Sequence, residues 1–96
     1  MDRFASLRGA TLAAILESPG ATSHDLRRKL VSGDAPPDLA ALVEKIRARA
    51  YTVSDDDLAA LKKIYSDDQL FEIIVATTFG SALDRVTAAH KALESA

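Results

Sequence analysis

Apolar positions fall at helical spacing in five stretches of this sequence, separated by polar or helix-breaking residues. Phe4, Leu7, Leu12, Ile15 and Leu16 lie near one stripe of a helix over about 2–17, which Ser18-Pro19-Gly20 breaks. Thr22 with Asp25 three residues on resembles a capping box and opens a short helix carrying Leu26, Leu30 and Val31, which Gly33 ends. Gly33-Asp34-Ala35-Pro36-Pro37 is the clearest linker, because two consecutive prolines cannot continue a helix and favour extended backbone. It divides a single domain, 1–96, into an N-terminal helical pair, 1–33, and a helical core, 38–95.

Asp38 is positioned to cap a third helix with Leu39, Leu42, Val43, Ile46 and Ala50 on its apolar stripe. Tyr51-Thr52-Val53 interrupts that pattern, and Ser54 with Asp57 caps a fourth helix that turns Leu58, Leu61 and Ile64 inward. Ser66 with Gln69 opens the last helix, over about 67–94, in which Gly80 is the one interior weak point and permits close packing or a slight bend. From Leu70 to Phe79 its apolar residues surround the helix, the pattern of an element buried on more than one face. At about 1.5 Å rise per residue this helix is about 42 Å long, whereas a compact domain of this size is only about 32 Å across. One end must project, and Leu70, Phe71, Ile74, Val75, Phe79, Leu83 and Val86 are the expected interface residues. The spacing therefore predicts an all-α fold, a small bundle of about five helices with a long C-terminal helix that packs against another chain as well as its own.

Composition narrows the partners. Forty-eight per cent of residues are apolar but only two tyrosines and three phenylalanines are aromatic, so the core is built from Leu, Ile, Val and Ala. Twelve basic against fourteen acidic side chains give a charge of −2, which argues against a nucleic-acid or anionic-membrane binder. The sequence has no secretory pattern and no apolar run of membrane-spanning length, so a cytoplasmic address is expected. Without cysteine the chain has no disulfide, thiolate metal site or thiol chemistry of its own.

The stretch Leu39 to about Leu93 resembles the helical repeat of the alkylhydroperoxidase D-like (AhpD-like) and carboxymuconolactone decarboxylase superfamily. The likeness rests on the helix Leu39-Ala40-Ala41-Leu42-Val43-Glu44-Lys45-Ile46, a short intervening helix, and the capped entry Tyr65-Ser66-Asp67-Asp68-Gln69-Leu70-Phe71-Glu72-Ile73-Ile74 into a long apolar helix. It implies an all-α fold and oligomers formed through long helices. In the peroxidase branch it also implies a Cys-x-x-Cys pair with a nearby proton-shuttling histidine. Those positions carry Ala50, Val53 and Asp57 here, so that chemistry is not transferred.

Among candidate site residues, Glu72 is the lone charge within Leu70, Phe71, Ile73 and Ile74. If buried, its carboxyl must find a partner, with Arg47, Arg49 and Tyr51 as candidates, or shift its pKa upward as general acids do. Tyr51 and Tyr65 bracket the fourth helix and can pack or direct phenols toward a pocket. Asp55-Asp56-Asp57 lacks the ligand spacing of a calcium loop and reads as first-turn carboxylates favoured by the helix dipole. His90 and Glu94, four residues apart at a helix end, do not make a metal site by themselves, and His24 reads as a surface residue. No metal or cofactor is expected.

The expectation is a non-catalytic helical oligomer, a homo-oligomer with room for a heterologous protein partner, acting as a subunit or scaffold. The alternatives are a cysteine-independent decarboxylase-like enzyme, with Glu72 and a tyrosine as acid and base, or a small-ligand-binding module.

Overall fold

The computed structural model of the chain describes residues 12–16 and 19–95, which form helices joined by short loops with no strand among them. Helix α1 is described over 12–16; Phe4 and Leu7, expected on its apolar stripe, lie outside the described residues. Four helices follow: α2 (His24–Ser32), α3 (Ala40–Arg49), α4 (Asp55–Ala59) and α5 (Asp67–Ser95). Short 3-10 turns, Ala50–Thr52 and Leu61–Lys63, lead into and out of α4.

The ends of these helices follow the polar chemistry of the sequence, with two corrections. Gly33 closes α2 in the left-handed conformation at φ 90, and the Asp34 amide reaches back to the Lys29 carbonyl at 2.8 Å. Ser54 and Asp57 form the expected capping box on α4, and Ser66 and Gln69 exchange the equivalent bonds at the start of α5. The box expected from Thr22 and Asp25 does not form. Thr22 gives its hydroxyl to Glu72, and Ser23 takes over as the cap of α2, accepting from the Leu26 amide at 3.1 Å. Asp38 likewise does not cap α3, which begins behind Leu39 without a side-chain cap, because its carboxylate accepts from the Tyr65 hydroxyl at 2.6 Å.

α2 and α3 pack along the first half of α5 and enclose the core of Leu30, Leu39, Leu42, Val43, Ile46, Leu61, Leu70, Ile73 and Ala76. Two side chains expected inside are outside: Ile64 is exposed as the chain turns toward α5, and Ala50 is exposed in the 3-10 turn that replaces the end of α3. Closest approach falls at Gly80. A Cβ there would stand 2.1 Å from the Val31 carbonyl oxygen, so the C-terminal end of α2 rests directly on the α5 backbone.

The last buried residue of α5 is Ser81; beyond it only Leu83 is half-buried and the remainder to Ser95 is exposed. The molecule accordingly measures 46 × 28 × 19 Å, its long axis matching the roughly 43 Å expected of a 29-residue helix. Projection raises the radius of gyration to 14.5 Å, above the about 12–13 Å of a compact domain of this length. No helix among the described residues is long and apolar enough to cross a membrane.

Candidate functional site

Glu72 rises from the second turn of α5 and its carboxylate grips the connection between α1 and α2. One oxygen accepts from the Ala21 amide at 2.6 Å, and the other accepts from the Thr22 amide at 2.9 Å and the Thr22 hydroxyl at 2.5 Å. Gln69, one turn earlier, donates to the Ala21 carbonyl at 3.3 Å. Burial is the largest single influence on the Glu72 carboxyl and pushes its pKa up. The Thr22 hydroxyl, the Ala21 and Thr22 amides and the Arg27 charge together outweigh it, so the net shift is downward. Glu72 is thus an ionised acceptor that clamps a loop, the reverse of a carboxyl poised to hold a proton.

None of the partners anticipated for Glu72 reaches it. Arg47 instead pairs with Asp84 on α5, and its carbonyl accepts from Arg85 at 2.7 Å and Ser81 at 3.5 Å, tying α3 to the middle of α5. Arg49 is exposed. Tyr51 is 87% exposed, and Tyr65 is held by Asp38, whose acceptor oxygen and charge, with burial, push the phenol up to about 12. The three weak catalytic candidates, Glu72, Tyr51 and Tyr65, therefore stand apart, each with a separate structural situation.

Asp57, at the position where the resemblance places a histidine, accepts from Lys45 at 2.8 and 2.9 Å and closes the α4 capping box. The Lys45 hydrogen bond foremost, with the Ser54 amide, holds its pKa below the usual carboxylate value. This pair lies in a groove of about 420 Å³ between α3 and α4, floored by Leu42 and Leu61. Acid and base there are bonded to each other, Lys45 donating to both Asp57 carboxylate oxygens. Among the described residues no group of three or more His, Asp or Glu side chains is placed to hold a metal ion. His90 and Glu94 pair with each other at 2.8 Å on the exposed end of α5, and His24 is exposed.

One residue escaped the sequence reading. Arg27, first of the run Arg27-Arg28-Lys29, is 4% exposed and donates to the carbonyls of Ile15 at 2.8 Å and Thr22 at 3.4 Å, while its Nε has no partner among the described residues. Its signal was positional, since it precedes the core residue Leu30 by three and shares its helix face.

The expected interface residues divide. Leu70 is 4% exposed and belongs to this chain's own core, and Ile74 is half-buried against it. Phe71 is 68% exposed, Val75 37% and Val86 39%, with Phe79 and Leu83 half-buried. Phe71 and Val75 also border a recess of about 180 Å³ shared with Ala14, Ile15 and Pro19, with Arg27 and Glu72 on its wall. No family model, no curated protein and no solved structure matches the chain.

Proposed function

We propose that this protein is a non-catalytic, cytoplasmic helical oligomer whose work is association, as a subunit or scaffold, through α5. The observation that supports this reading is the second apolar face of α5. Phe71, Val75, Val86 and Leu93 remain exposed along a helix whose other side carries the core, and its last turns, from Asp84 to Ser95, are exposed throughout. Apolar surface contiguous over such a length is characteristic of an interaction site. Closure by a second copy is the commonest arrangement for soluble chains.

The bonding of Glu72 and of the Lys45–Asp57 pair favours this reading over the enzyme alternative, because both acid–base candidates are engaged in holding the fold. In the same reading, the likeness to the alkylhydroperoxidase D-like repeat concerns architecture and oligomer-forming style, without the thiol dyad. Size-exclusion chromatography with light scattering over a dilution series tests it. The expected result is a multimer that Val86→Asp dissociates without loss of helicity; a monomer at every concentration that also captures no partner overturns it.

A further inference from the structure

We infer that two copies of this chain pair antiparallel along α5, about a two-fold axis near residue 84, with Leu93 of each seated at the Phe71–Val75 recess of the other. The inference rests on the self-association proposed above and specifies its geometry.

At roughly 100° per residue, Val75, Phe79, Ala82, Val86, Ala89 and Leu93 fall within a stripe roughly 80° wide. The buried residues Leu70, Ile73, Ala76, Thr77, Gly80 and Ser81 centre on the opposite side of the helix. The stripe alternates four- and three-residue steps, the repeat of a helix–helix seam, with Ala82 and Ala89 flanking Val86. Antiparallel pairing about residue 84 sets Ala82 against Val86 of the partner subunit and Phe79 against Ala89 of the partner subunit. Large then meets small in these central layers, as close packing of two helices requires. Parallel pairing would instead stack Phe79 on itself and each alanine on itself, alternating crowded layers with gaps.

The charges near the axis are already drawn aside. Asp84 pairs with Arg47 and Arg85 donates to the Arg47 carbonyl at 2.7 Å, so both side chains fold back onto α3 and leave the stripe clear. At the ends of the seam, Val75 meets Leu93 of the partner subunit beside the recess of about 180 Å³ lined by Ala14, Ile15, Pro19 and Phe71. Arg27 and Glu72 on its wall carry opposite charges, and the other described lining residues are apolar, which suits a leucine side chain. An overlap from Val75 to Leu93 on each helix spans about 27 Å. Covering half the circumference of a helix about 11 Å wide over that length buries roughly 900 Å² in total. That is close to the about 1,000 Å² expected of a specific interface, the range of a weak, reversible, concentration-dependent dimer.

The chain has no cysteine, so introduced thiols report geometry without background. Leu93→Cys protein mixed with Val75→Cys protein should give a covalent dimer on mild oxidation, as should Ala82→Cys mixed with Val86→Cys, whereas Leu93→Cys alone should not cross-link. The Ala82 and Val86 positions are exposed, which keeps the test open if Val75→Cys folds poorly. Efficient cross-linking of Leu93→Cys to itself, or a light-scattering dimer in which neither mixed pair cross-links, overturns the antiparallel register while leaving self-association standing. A chain that is monomeric by light scattering and cross-links in no combination overturns both.

Discussion

Gly80→Ala sets two effects of opposite sign against each other at one methyl group. On helix propensity alone the change should stabilise α5 by up to about 1 kcal/mol. The added Cβ, however, would lie 2.1 Å from the Val31 carbonyl oxygen and 2.7 and 2.8 Å from the Val31 C and Cα, all backbone atoms that cannot rotate away. Restoring ordinary contact at 3.4 Å means opening the α2–α5 spacing by about 1.3 Å. That movement loosens the buried layer around Thr77, Ser81 and Leu30. Overpacking of this kind costs about 1–3 kcal/mol, occasionally more, because a close-packed interior has no slack to absorb it. The clash therefore outweighs the propensity gain, and the expected net loss is about 1–2 kcal/mol. For a chain of this size each kcal/mol moves the Tm by about 4–8 °C. Thermal and urea melts followed by far-ultraviolet circular dichroism measure it, with Ala88→Gly, exposed on α5 and off the apolar stripe, as a propensity-only comparison. A Gly80→Ala protein that melts at or above the parent temperature would refute the reasoning, and with it the close approach of α2 to α5.

Other outcomes follow from the polar contacts. Glu72→Gln replaces an ionised acceptor of three hydrogen bonds by an amide, and should cost about 1–2 kcal/mol in urea melts, a figure that allows for the part-exposed position. Because the Glu72 pKa is lowered on folding from 4.5, its contribution is complete above that value and is lost as pH falls through the lower folded value. The Gln variant should therefore show a flatter acid limb of stability against pH; an unchanged limb counts against the clamp. Tyr65 should ionise at about 12 in a spectrophotometric titration, with the raised value contributing stability below pH 10 that is lost as pH rises through 12. Tyr65→Phe should remove that step and Asp38→Asn should move it down. Ser54→Ala should cost about 1 kcal/mol in urea melts through loss of the α4 cap, and no change would contradict the capping box.

Much of the fold was legible because local chemistry and tertiary packing agree. The stripe Leu42, Val43 and Ile46 is buried where its spacing put it, and Gly33, Ser54 and Ser66 act at the ends they mark. The misreadings arise where a tertiary partner competes for a local group. Thr22 and Asp38 have suitable side chains at suitable positions, but Glu72 lies 50 residues from Thr22 in sequence, and Tyr65 27 residues from Asp38. No local rule sees such a partner. The same limit hid Arg27, since a residue within a run of three cations reads as solvated until the carbonyls of another segment are placed against it. At Glu72 the sequence disclosed that a charge was out of place and that it needed a partner, while its choice of Ala21 and Thr22 depended on the path of a connecting loop.

The two faces of α5 also explain why one helix can be rigidly placed yet half uncovered. Its core side is fixed by direct backbone contact at Gly80, by the Glu72 clamp near one end and by the Arg47 contacts with Ser81, Asp84 and Arg85 in the middle. Among the described residues no hydrogen bond or ion pair joins α5 to another helix beyond Arg85, although the helix continues for ten further residues to Ser95. An isolated helical segment this short is marginal in water. Val86 and Leu93 add apolar exposure where burial would be favourable. A chain selected only to stabilise its own core would gain nothing from extending an apolar stripe past its last contact. Occupancy of that stripe by a second helix supplies both the missing burial and a reason for its length. On this argument, hydrogen exchange beyond Arg85 should slow as protein concentration rises, while exchange at Ile73 to Thr77 should not respond.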